Sequence, residues 1–67
     1  MKIFINNDSR EVPEKSSITS VLNHLEIPAD NGIAVALNQQ VIPRTKWNET
    51  PVAEQDKILL VKITQGG

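Results

Sequence analysis

Few residues in this chain have side chains suited to chemistry. His24 is the single histidine, set beside Leu25 in a helical stretch. A metal site needs more ligands than one histidine and scattered carboxylates supply, and a lone helical histidine belongs by default on the surface. There is no cysteine, which excludes a thiol nucleophile, thiolate metal ligands and disulfides. Serine, histidine and aspartate all occur, but their presence in the composition does not make a triad. Gly32 is the only glycine outside the final two residues, so there is no glycine-rich phosphate loop. Arg44, directly after Pro43, can meet an acidic partner, although exposure alone accounts for such an arginine. The side chains do not describe an enzyme.

The remaining chemistry is at the end, in the segment VKITQGG. At an average glycine usage of about 7%, two terminal glycines arise by chance in roughly 0.5% of chains, so the ending invites an explanation. A frayed terminus tolerates any residue, and that is one reading. The other is chemical. Without a Cβ, Gly66 and Gly67 allow the backbone to extend through a narrow channel and approach another protein's active site closely. An unhindered terminal carboxylate is a good substrate for activation, and once adenylated it becomes an acyl electrophile open to a sulfur or nitrogen nucleophile. The domain is then a handle for Gly67.

With 67 residues and a net charge of −1, the chain makes one domain, of a length that buries only roughly 60% of its unfolded surface. A substrate cavity would compete with the core for the same side chains. Hydrophobic residues make up 39% and charged residues 22%, ordinary values for a soluble domain. The 7 basic and 8 acidic residues form no long run of either sign, and bulk charge predicts no nucleic-acid or anionic-membrane partner. Strand-like residues begin directly after Met1 and no apolar run approaches a membrane span. The expectation is a cytoplasmic protein.

The elements follow from periodicity. Residues 2–6 read as a strand, Asn6-Asn7-Asp8-Ser9 as a turn, and Arg10-Glu11-Val12 as its return. Ile18, Val21, Leu22 and Leu25 form one helical stripe. Ser16 or Ser17 is the expected N-cap and Pro28 the expected stop. Ile33–Leu37 is a strand, Asn38-Gln39-Gln40 a turn, and Val41-Ile42 a strand halted by Pro43. The stretch 44–56 reads as a loop around Trp47 with one short strand, and 57–64 as the last strand. The expected fold is α+β, a mixed sheet with one helix packed on one face. The expected division is a folded domain over 1–64 and a flexible tail over 65–67.

The last strand does not alternate. Both its Ile58/Leu60 face and its Leu59/Val61/Ile63 face are apolar, yet a single helix covers only one side. Phe4, between Ile3 and Ile5, poses the same problem. Either the 44–56 loop folds back with Trp47 over the second face, or that face is an exposed patch that marks a protein–protein surface.

The element order ending in Gly-Gly resembles the ubiquitin-like β-grasp domains, and within them the ThiS family of sulfur carriers in thiamine biosynthesis. The stretch Ala36-Leu37-Asn38-Gln39-Gln40-Val41-Ile42-Pro43-Arg44, followed by Trp47 and by Asp56-Lys57-Ile58-Leu59-Leu60, is similar to that family's pattern. With the short N-terminal hairpin and the SVLNHL helix, the resemblance covers essentially the whole chain. One position departs: Gln55 stands where the family usually has glycine, which bears on the turn before the last strand rather than on function.

The resemblance implies a cycle. A ThiF-type adenylating enzyme uses ATP and Mg²⁺ to convert the Gly67 carboxylate to an acyl-adenylate. Sulfur drawn from cysteine by a desulfurase replaces AMP and leaves a C-terminal thiocarboxylate, which donates sulfur to thiazole synthase, ThiG. The carrier itself binds no cofactor. Gly66 threads the tail to the nucleotide, and the face of Phe4, Leu59, Val61 and Ile63 docks on the partner. Other outcomes of the same architecture are a carrier of the molybdopterin synthase small-subunit type, a ubiquitin-like modifier, and a β-grasp interaction module that never uses its tail.

Overall fold

The computed structural model describes residues 1–28 and 32–63. The expected tail, with Gly66 and Gly67, lies outside the described residues, as does Thr64. The first hairpin pairs β1 (Lys2–Ile5) with β2 (Asp8–Glu11). Its turn is tighter than the expected four residues: Asn6 and Asn7, at φ 50° and 75°, make the whole connection. Two consecutive positive φ values suit a two-residue hairpin, and asparagine tolerates them. Asp8 and Ser9 are thereby released into β2, opposite Ile5 and Phe4. The second hairpin repeats the device. Asn38 and Gln39, at φ 50° and 73°, join β3 (Ile33–Leu37) to β4 (Gln40–Ile42).

Helix α1 (Ile18–His24) is capped by Ser17, whose Oγ accepts from the Ser20 N–H at 3.2 Å. Ser16 instead donates its hydroxyl to the Pro13 carbonyl at 2.6 Å and is buried. The helix ends before Pro28 can act. Glu26 turns left-handed at φ 57°, its N–H bonds to the Asn23 carbonyl, and the Ile27 N–H reaches back to Leu22. These two bonds are the Schellman arrangement, which normally places glycine at the left-handed position.

The stretch 44–56 is not a loop with a strand. Arg44–Glu49 is a 3₁₀ helix, and the β pairing near it is one isolated bridge between Ser17 and Pro51. The 3₁₀ helix packs on α1 because Trp47 inserts into the core at 4% exposure. Its Nε1–H donates to the Ile42 carbonyl at 2.9 Å. Residues 53–56 then turn into β5 (Lys57–Lys62), closed by the Asp56 N–H on the Ala53 carbonyl at 3.1 Å. Gln55, third in that turn, has φ 67°. The turn therefore takes the left-handed conformation that a glycine there would favour, with glutamine in it.

Glu26 and Gln55 both hold strain that glycine relieves. A left-handed L-residue is disfavoured by about 1–2 kcal/mol, and glycine's greater unfolded-state freedom returns part of that. Glu26→Gly and Gln55→Gly are each expected to stabilise by about 0.5–1 kcal/mol in urea titration. Gln55→Val should destabilise, because a β-branched residue resists positive φ.

The sheet order is β2-β1-β5-β3-β4, with β1 and β5 parallel at the centre and the other neighbours antiparallel. This is the mixed, one-helix β-grasp sheet the resemblance implies. Ile18, Val21 and Leu22 of the helix stripe meet Ile3, Val35 and Ile58. All the fully buried hydrophobic residues lie between positions 3 and 58.

Candidate functional site

Strand alternation assigns the second face of the sheet. Ile3 and Ile5 point at the helix, so Phe4 points away and is half-buried. Ile58 is buried while Leu59 is 50% and Val61 47% exposed, so β5 alternates in burial although not in composition. The Ile63 N–H bonds to the Gly32 carbonyl at 2.6 Å, continuing the ladder with β3 and carrying Ile63, 47% exposed, to the same outer side. Phe4 is level with Lys57 and diagonal to Leu59. The four residues expected to form a patch thus share one face. Trp47 and the 3₁₀ helix lie on the opposite side with α1, so they do not cover it.

The patch extends further than the sequence indicated. Register places Ala34 opposite Val61, and Ala36 between Leu59 and Val41. Val41, at 69% exposure, is the most exposed large hydrophobic residue described. Its signal was available in β4, where an inward Ile42 forces an outward Val41. Ala34 and Ala36 add only methyl groups to this part of the surface. A broad apolar face on so small a chain is unusual for a surface in contact only with water.

Where the chain leaves this face also matters. β5 begins between the two hairpin turns: the Asn6 N–H bonds to Ile58, and the Asn38 N–H bonds to Lys57. It therefore ends at the opposite edge of the sheet, where the Ile63 N–H meets the Gly32 carbonyl.

The recurring residues near position 40 have structural tasks. Asn38 donates Nδ2–H to Asp56 Oδ1 at 3.1 Å and accepts the Lys57 N–H on Oδ1 at 2.9 Å. Asp56 Oδ2 accepts the Ala53 N–H at 2.7 Å. Together they tie the second hairpin to the start of β5. The Arg44 guanidinium lies 4.9 Å from the Trp47 ring centre, a stacking geometry for a cation on an aromatic face. His24 sits exposed in the last helical turn. Among the described residues no group of His, Asp or Glu is placed to hold a metal, and no helix is long and apolar enough to cross a membrane.

Comparison with known proteins agrees with this architecture. The family model described as the ThiS family matches residues 3–67. Sulfur carrier protein ThiS of Escherichia coli K12 is 31% identical over 67 residues, which is all of both chains. The uncharacterized protein ycf40 of Porphyra purpurea is 28% identical over all of this chain and 93% of its own. The crystal structure of the thiamine biosynthesis protein ThiS from Geobacter metallireducens superposes over the full length of both chains with a TM-score of 0.87 at 25% identity. The chain belongs to the ThiS family, the sulfur carriers of thiamine biosynthesis.

Proposed function

We propose that Gly67 carries sulfur as a C-terminal thiocarboxylate and that catalysis belongs to the partners. The family match carries this reading because it runs through the last residue and takes in the tail. A ThiF-type enzyme with ATP and Mg²⁺ joins the Gly67 carboxylate to AMP, and pyrophosphate leaves. The terminal sulfur of a persulfide, charged from cysteine by a desulfurase, attacks the acyl carbon and AMP leaves. Cleavage of the sulfur–sulfur bond by a thiol frees the thiocarboxylate, which donates its sulfur to thiazole synthase, ThiG. The chain holds no cofactor of its own, and these steps are cytoplasmic. Residues 1–64 act as the handle and 65–67 as the arm, with Gly66 threading to the nucleotide. A cysteine-free chain suits the task, since it has no thiol of its own to attack the activated terminus.

Intact-mass spectrometry tests the proposal, after incubation with ATP, cysteine, and an adenylating enzyme and desulfurase from the same source. The expected result is a gain equal to sulfur replacing oxygen, located at Gly67. An unchanged mass with demonstrably active enzymes overturns it and leaves a passive binding module.

The docking face is Phe4, Leu59, Val61 and Ile63, joined by Val41. Leu59→Glu puts a charge in the middle of this face without touching the core, since Leu59 already meets water. It is expected to weaken binding to the adenylating enzyme by at least about tenfold while the melting curve stays close to that of the parent. Undiminished sulfur loading of this variant at limiting enzyme would rule the face out.

A further inference from the structure

At the start of β5 the outer face stops being purely apolar. Asn7, Gln39 and Lys57 border a depression of about 260 Å³ floored by Ala36 and Leu59. The two left-handed turns are its walls, Asn6-Asn7 on the β1 side and Asn38-Gln39 on the β3 side. The space exists because Ala36, opposite Leu59 in register, offers only a methyl group.

Among the described residues that border the depression there is no carboxylate. The neighbouring Asp56 carboxylate is engaged on both oxygens, with Asn38 and the Ala53 N–H. Asn6 Oδ1 accepts the Leu60 N–H at 2.8 Å. Among the described residues the Lys57 ammonium has no carboxylate partner. Alternation places three charged strand residues on this face: Lys2, Lys57 and Glu11. Glu11 stands opposite Lys2, whose ammonium lies 5.7 Å from the Phe4 ring centre, so Lys57 is the cation at the depression, on a net cationic face of a chain whose net charge is −1.

We infer that the protein docking on the apolar face inserts an aspartate or glutamate side chain into this depression, where it pairs with Lys57. The Asn7 and Gln39 side-chain amides are the donors available for its remaining lone pairs. The inference rests on the docking reading above and commits to the adenylating enzyme as that protein. A single charge beside an apolar centre fixes the register of docking and speeds encounter, and a like charge facing it repels.

Calorimetric titration of the adenylating enzyme tests this with the full chain and its Lys57→Glu, Lys57→Gln and Leu59→Glu variants, each first shown to melt like the parent. Lys57→Glu is expected to weaken binding by about tenfold or more. Added salt should weaken the parent more than Lys57→Gln, because screening acts on the pair. If Leu59→Glu weakens binding while both Lys57 variants bind like the parent, the inference fails and the docking face stands. If Leu59→Glu also binds like the parent, the docking face itself fails and takes the inference with it. A parent chain that sediments as a dimer and is dissociated by Lys57→Glu makes a second copy the occupant, which likewise overturns the inference.

Discussion

A chain shortened by Gly66 and Gly67 is expected to melt like the full one and to accept no sulfur at all. Stability should not change because the core closes without the tail: its buried hydrophobic residues end at Ile58, and glycine adds no side chain to packing. Loading should vanish because the shortened chain presents Gln65, whose Cβ and longer side chain obstruct the channel that bare backbone passes. A milder version is Gly66→Val, which leaves the Gly67 carboxylate in place and hinders its approach. Misplacing a reacting group by about 1 Å costs roughly 100-fold in rate, and adenylation of this variant should fall by that order. Pyrophosphate release reads adenylation, and intact mass reads sulfur gain. Binding of the shortened chain to the adenylating enzyme should fall far less than loading, because the outer face is intact. A shortened chain that still gains sulfur places the acceptor elsewhere and sinks the carrier reading.

How much of this was legible depends on how each element is held. The helix stripe of Ile18, Val21 and Leu22 is set by periodicity and packs as read. The outer face was visible because β5 is apolar on both sides, and one helix covers only one of them. Asparagine at both hairpins announced the turns, although a two-residue turn needs fewer residues than the cluster 6–9 offered. The left-handed Glu26 and Gln55 carried no local sign, since neither residue favours positive φ. The chain tolerates them because surrounding hydrogen bonds fix the backbone, as the Gln55 N–H does on the Lys2 carbonyl at 2.6 Å. For Gln55 the resemblance supplied the missing clue, a glycine at that place in relatives. The parallel pairing of β1 with β5 was not legible, because periodicity assigns strands but not their partners. The 3₁₀ helix was missed because its order comes from one tertiary event, the insertion of Trp47.

That insertion makes Trp47→Ala the substitution with the largest expected effect on folding. Trp47 fills the space between the 3₁₀ helix and the core beneath α1. Truncating a buried aromatic to alanine costs about 3–5 kcal/mol. The change also removes the donor to the Ile42 carbonyl, at a further cost of about 1 kcal/mol. A core in a chain of this length supplies about 3–5 kcal/mol in all, so the loss is as large as the reserve. Trp47→Ala is therefore expected to be largely unfolded at 25 °C, without the dispersed amide spectrum of the parent. Trp47→Phe separates packing from hydrogen bonding. It keeps most of the apolar area, loses the Nε1–H donor, and should fold with stability lowered by about 1–2 kcal/mol. At a urea slope near 1 kcal/mol/M for a small domain, the midpoint moves down by about 1–2 M. Trp47 is the only tryptophan, so far-ultraviolet circular dichroism must follow both variants in place of fluorescence. A Trp47→Ala chain that unfolds cooperatively near the parent's midpoint would mean that the 44–49 segment lies on the core without contributing to it. The apolar outer face would then owe nothing to Trp47 on the other side of the sheet. If instead the alanine variant unfolds and the phenylalanine variant docks normally, the division of labour is established: one face of the sheet is committed to folding through Trp47, and the other is left free for partners.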